Sequence, residues 1–144
     1  ALLFYSSMAL NAISTLIVCA LLLMLTPVMA DFWDSDEIVP LIYCYVATCI
    51  VLVPFTQLNY LEQANHQFRG TFYSSVVRQG VFFVVVVFAF FFWPDLPLVF
   101  FAFIHVVAAA LGAITAYFFN KDLIPEVYKV SRATMSKLFR FGRY

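Results

Sequence analysis

Few side chains in this sequence could do chemistry, and Arg78 is the first of them. It lies beside Gln79 in an apolar segment that we expect to begin near Phe72, more than one helical turn from its start. A guanidinium does not lose its proton in proteins, so at this depth it needs a partner, a wet cavity or a route to the head groups. One hypothesis is that Arg78, with Gln79 and the earlier Arg69, binds an anionic substrate. The alternative is that the Arg78 stem carries its charge to the lipid head groups.

His105 is the second candidate, about two turns into a later apolar segment. Imidazole can exchange a proton near neutral pH, which would suit proton coupling. Helical spacing, however, aligns His105 with small residues that let two helices approach closely, namely Ala108, Ala109, Gly112 and Ala116. This alignment favours a packing role with an interhelical hydrogen bond, and proton coupling stays as the alternative.

No arrangement typical of a catalytic, cofactor or metal site is present. Glu62 and His66 are four residues apart on one expected helical face but lack a nucleophile and a third ligand, so we expect a surface pair. Asp34 and Asp36 are typical of a solvated acidic turn. The three cysteines lie in apolar runs without metal-binding spacing and are expected to be buried thiols, namely Cys19, Cys44 and Cys49. The sequence therefore predicts neither an enzyme nor a cofactor.

The elements that must position these residues are membrane helices. The chain is 65% hydrophobic and 11% charged, whereas soluble domains carry about 25% charged residues. Four apolar segments are long enough to cross a hydrocarbon core of about 30 Å, at residues 2–30, 38–60, 72–93 and 98–120. We predict an all-α, polytopic membrane protein with four transmembrane helices in two hairpins. A basic, amphipathic cytoplasmic segment is expected at residues 121–144.

The distribution of charge predicts the orientation of these helices. All eight Lys and Arg residues lie either between the second and third segments or after the fourth. The opposite loops carry none, and Trp33 and Trp93 mark that boundary as an aromatic belt would. We therefore expect the central connection and the C-terminal segment to be cytoplasmic. A four-residue repeat, Phe-Tyr-Ser-Ser at residues 4–7 and 72–75, would fit two hairpins in tandem, although chance is an equal alternative in so Phe-rich a chain.

The central turn also carries a family resemblance. It reads Gln63-Ala64 followed by Phe68-Arg69, and a basic loop near the C-terminus ends in Leu138, Phe141 and Gly142. This pattern resembles the polysaccharide flippases, the O-antigen and Wzx-like transporters of the multidrug/oligosaccharidyl-lipid/polysaccharide exporter superfamily. The likeness covers essentially the whole chain. Because both ends fall within apolar or helix-entry segments, we expect a fragment that corresponds to about the third to sixth helices.

The resemblance implies a transporter of twelve to fourteen helices in two pseudo-symmetric bundles. Such a protein would flip lipid-linked oligosaccharide across the bacterial cytoplasmic membrane, without covalent chemistry or a cofactor. Its partners would be membrane lipid, the lipid-linked substrate and the remaining helices of the same transporter, and not nucleic acid. The alternative is a structural or assembly subunit of a larger membrane complex that transports nothing itself.

Overall fold

A computed structural model describes residues 2–93, 95–124, 134, 136 and 137. Within these residues the chain is helical and contains no strand, with four long helices followed by a short 3-10 turn at Lys121–Leu123. The helices are α1 (Leu2–Trp33), α2 (Ile38–Ala64), α3 (Arg69–Phe92) and α4 (Leu98–Asn120). Each is long and apolar enough to cross a membrane, which confirms the predicted fold class. The amphipathic segment predicted at residues 121–144 lies mostly outside the described residues.

The helices pair as two hairpins that are joined through their second members. α1 packs against α2, α3 packs against α4, and α2 packs against α4. In the most apolar stretch of each helix, 22% of the residues of α2 and 17% of those of α4 are buried, against 6% in α1 and in α3. α2 and α4 are therefore the central pair, and α1 and α3 present most of their apolar side chains to the surroundings.

The predicted small-residue face of α4 is confirmed. Ala108, Ala109 and Ala116 are completely buried. A Cβ added at Gly112 would lie 3.0 Å from the Arg78 Cβ and 3.2 Å from the Ser74 carbonyl oxygen. Since two helices in lipid gain little from apolar contact alone, this close approach of backbones is what holds α3 against α4.

The two Phe-Tyr-Ser-Ser segments lie in similar surroundings at the starts of α1 and α3. Ser6 and Ser74, the third residue of each, are both completely buried. In each copy the preceding Phe and Tyr rings pack edge to face, at centroid distances of 5.2 Å and 5.5 Å. This match accords with two hairpins in tandem.

The polar stretch between the hairpins is mostly helical. α2 continues to Ala64 and α3 begins at Arg69, so the connection itself is four residues long. The reversal requires a positive φ of 55° at His66, a conformation in which non-glycine residues are uncommon. The short turn brings the end of α2 directly against the start of α3, and the candidate site is built on this approach.

Candidate functional site

Arg78 lies between α3 and the central helix pair. Its Cζ atom is 5.1 Å from the centroid of the Phe55 ring on α2, and that ring is only 6% exposed. The aliphatic part of the same side chain rests against Gly112 of α4. The cation therefore lies over an aromatic face, which attracts it through the ring quadrupole. No acidic side chain among the described residues forms an ion pair with it.

Arg69 and Gln79 do not join Arg78 in one cluster. Arg69 is the first residue of α3 and is exposed. Nine residues separate it from Arg78, about two and a half helical turns, so the two arginines leave opposite sides of α3. Gln79 is exposed and follows Arg78 directly. The structure thus presents one half-buried cation, an adjacent exposed amide and a second cation at the start of the helix.

Glu62 occupies the approach between α2 and α3. Its carboxylate accepts hydrogen bonds from the backbone N–H groups of Gly70 and Thr71. It also accepts one from the Thr71 hydroxyl at 2.6 Å, and the residue is only 2% exposed. The first N–H groups of a helix have no partner within the helix and favour a negative charge. Glu62 of α2 therefore caps α3 from outside.

The prediction that Glu62 and His66 form a surface pair is wrong. The chain leaves the helix at Asn65, so His66 does not extend the helical face on which Glu62 lies. His66 is exposed, and all of the hydrogen bonds observed at the Glu62 carboxylate come from α3. Helical spacing suggested this pair, but the unpaired N–H groups of the next helix provide better donors.

Gly70 allows α4 to reach the same place. A Cβ added at Gly70 would lie 2.8 Å from Asn120 Nδ2, and 2.9 Å from both Glu62 Oε1 and the Phe119 Cβ. The Asn120 amide donates to the Ala116 carbonyl at 2.9 Å and is completely buried. We call Glu62, Gly70, Thr71 and Asn120 the polar junction. It joins the ends of α2 and α4 to the start of α3.

His105 lies towards the other end of the bundle. Its ring packs edge to face on Phe82 of α3, with 5.3 Å between centroids, and is exposed. It forms no hydrogen bond with another described residue. The ring lines a cavity of about 690 Å³ between the two hairpins, which we call the apolar cleft. Its walls are α2 from Ile38 to Leu52, two residues of α1, and a group from α3 and α4, namely Phe82, Leu98, Phe101, Ala102 and His105.

The remaining candidates form no reactive cluster. The described residues contain no group of three or more His, Cys, Asp and Glu side chains that could hold a metal. Cys19 is buried, Cys44 and Cys49 are partly buried, and all three are free thiols. Between α1 and α2 a polar contact is made by the Ser7 hydroxyl, which donates to Gln57 Oε1 at 3.3 Å.

Sequence reasoning missed Phe55, whose ring lies against the Arg78 guanidinium, and the polar junction. Phe55 is one aromatic residue among many, and Asn120 stands at the end of an apolar run. A weak signal was available in Glu62 and Gly70, which are an acid and a glycine on either side of a short turn. A glycine at the start of a helix is typical of a close approach by another chain segment.

Comparison with known proteins adds one finding. A family model described as "Polysaccharide biosynthesis protein" matches residues 5–144. No curated protein and no solved structure matches the chain.

Proposed function

The chain belongs to the polysaccharide biosynthesis protein family, and from this membership we propose that it forms part of a flippase for lipid-linked oligosaccharide. The remaining helices of the same transporter would complete its cavity. The substrate would enter from the cytoplasmic leaflet of the bacterial cytoplasmic membrane and leave from the opposite leaflet. Transport would proceed by alternating access, with no covalent step.

The observation that carries this proposal is the setting of Arg78. The residue lies nine positions after the start of α3, about 13 Å along the helix axis. Its charge is permanent, and no described acid neutralises it. A phosphate group supplies the missing negative charge and matches the planar fork of a guanidinium. A lipid pyrophosphate is therefore the chemical class that suits Arg78.

Arg69 and Gln79 would contribute at different stages. Arg69 stands exposed at the start of α3, on the side that the distribution of Lys and Arg predicts to be cytoplasmic. It would attract the anionic head group before entry. Gln79, exposed beside Arg78, offers an amide donor and acceptor to the sugar or the phosphate.

Substitution of Arg78 in the full-length transporter tests the proposal. We expect Arg78→Lys to accumulate normally in the membrane but to lower surface polysaccharide, and Arg78→Ala to abolish export. Lys121→Gln is a matched control, because Lys121 is an exposed cation that follows α4. Normal polysaccharide from well-expressed Arg78→Lys would contradict the anion site and favour a head-group anchor.

A binding measurement separates recognition of phosphate from packing on Phe55. Purified parent protein should bind undecaprenyl pyrophosphate more tightly than uncharged undecaprenol. Arg78→Lys should weaken only the pyrophosphate complex, by about tenfold or more, since a hydrogen bond to a charged group contributes about 1.5–3 kcal/mol. Equal weakening for both lipids would mean that Arg78 serves the packing of α3 instead.

A further inference from the structure

We propose that Glu62 is a positioning residue for Arg78, fixing α3 against α2 so that the guanidinium lies over Phe55. The inference rests on the proposed anion site and assigns a role to a residue that does not touch the substrate. It starts from the small contact between α2 and α3. α3 packs mainly against α4 and meets α2 at few places, and two of those places are the Glu62 contact and the Phe55 contact.

The two contacts are in register. Phe55 and Glu62 are seven residues apart on α2, and Thr71 and Arg78 are seven residues apart on α3. Seven residues are about two helical turns, so each pair lies on one face of its helix. Because the helices run in opposite directions, the Glu62–Thr71 contact places Arg78 opposite Phe55. The first contact therefore sets the position of the second.

The Glu62 contact is directional, which a purely apolar contact is not. Both carboxylate oxygens are used, one by the Gly70 N–H and the other by Thr71. A slip of α3 by one residue would move its first N–H groups by about 1.5 Å along the axis and about 100° around it. Such a slip would break these bonds and carry the Arg78 guanidinium off the Phe55 ring.

α4 packs closely against α3 at the levels of the same two contacts. Asn120 and Phe119 leave no room for even a Cβ at Gly70. Further along, the Arg78 stem rests on Gly112. α3 is thus held between a hydrogen-bonded contact on α2 and close steric contacts on α4, and both act at the level of the same two turns.

A double-mutant cycle tests the inference in the full-length transporter reconstituted in vesicles. The variants are Glu62→Gln, Arg78→Lys and the double variant, and the measurement is the initial rate of lipid-linked oligosaccharide transport against substrate concentration. Glu62→Gln keeps the side chain's size but replaces one acceptor oxygen by an amide NH2 group, which is a donor and cannot accept from the facing N–H groups. We expect it to raise KM on the order of tenfold, since a misplacement of about 1 Å can cost up to about a hundredfold.

The decisive comparison is between the effect of Glu62→Gln on KM in the parent protein and its effect in the Arg78→Lys variant. If Glu62 acts through Arg78, adding Glu62→Gln to Arg78→Lys should change KM less than about twofold, because interacting residues are not additive. If Glu62→Gln raises KM by the same factor in both backgrounds, the positioning role is overturned while the anion site stands. An unchanged KM for Arg78→Lys alone overturns the anion site, and the positioning role with it.

Two further variants keep the test decisive. Thr71→Val removes only the hydroxyl bond to Glu62; should Glu62→Gln fail to accumulate, this milder variant takes its place in the cycle with a smaller expected rise in KM. Thr26→Val is the matched control. Thr26 is buried and, like Thr71, uses its hydroxyl as a hydrogen-bond donor, here to the Leu22 carbonyl, but it lies on α1, away from α3. Thr26→Val should change KM by the same factor in the parent protein and in the Arg78→Lys variant.

Discussion

The polar junction and the apolar cleft hold the same two hairpins in different ways. At the polar junction α2 and α4 meet the start of α3 through directed hydrogen bonds, with no room for a Cβ at Gly70. At the apolar cleft a cavity of about 690 Å³ lies between the hairpins, and His105 makes an aromatic contact with Phe82. In lipid, apolar side chains gain little by leaving the surroundings for one another. The relative positions of the helices are therefore fixed by small residues and hydrogen bonds. The end of the bundle at the apolar cleft has fewer of these contacts and is open.

We assign different roles to the two ends of the bundle. The polar junction sets the register of α3 and thereby the place of Arg78. The apolar cleft contains no described ion pair, and a hydrogen bond on its wall, from the Thr48 hydroxyl to the Cys44 carbonyl, stays within α2. The following experiments are ordered from the largest expected effect to the smallest.

Labelling should establish which end is cytoplasmic, and the expected effect is all or none. With the native cysteines replaced, cysteines at Ser35 and Asp95 should react with an impermeant thiol reagent on intact cells. A cysteine at Ser131 should react only after lysis, because the distribution of Lys and Arg predicts that this segment is cytoplasmic. Reaction of residue 131 from outside would place the polar junction at the outer surface.

Removal of the Glu62 carboxylate should have the largest effect on stability. Glu62→Ala leaves the Gly70 and Thr71 donors without their acceptor, at a cost of about 3 kcal/mol in the free energy of unfolding. Thermal denaturation in detergent and the amount of protein in the membrane measure this cost. Glu37→Ala, which removes an exposed acid from the loop before α2, should change neither. An equal loss in both variants would mean that the polar junction is not a special source of stability.

Two glycines of α3 provide a sharper comparison. Gly70→Ala should destabilise the protein by about 1–2 kcal/mol, since the new methyl group meets three atoms closer than 3.0 Å. Gly80→Ala meets nothing within 4 Å and should be neutral or stabilising by up to about 1 kcal/mol, because alanine favours the helix. Equal melting temperatures for the two variants would show that the polar junction has room to relax.

The apolar cleft should tolerate substitution best. His105→Phe keeps an aromatic ring against Phe82 and removes no hydrogen bond to a described residue, so its stability should change by less than about 1 kcal/mol. Transport should also be retained if His105 only packs. A variant that melts like the parent but no longer transports would instead support proton coupling at His105.

Local properties of the sequence were sufficient for the architecture. Span length, apolar composition and the spacing of Ala108, Gly112 and Ala116 each belong to a single segment, and the described residues confirm four helices and a buried small-residue face. Membership in the polysaccharide biosynthesis protein family likewise followed from short motifs and is confirmed. The orientation and the substrate-binding roles of Arg78, Gln79 and Arg69 remain predictions.

The prediction at Glu62 failed because the answer lay in another segment. Spacing along one helix offered His66 as its partner, but the short turn delivers the unpaired N–H groups of α3 to the same carboxylate. The depth of Arg78 could be read from the sequence, yet Phe55, which receives its charge, lies more than twenty residues away on another helix. A sequence pattern records which face of a helix is apolar, small or charged. Which face of a second helix meets it, and at what register, depends on three helices fitting together, and only the tertiary structure decided that.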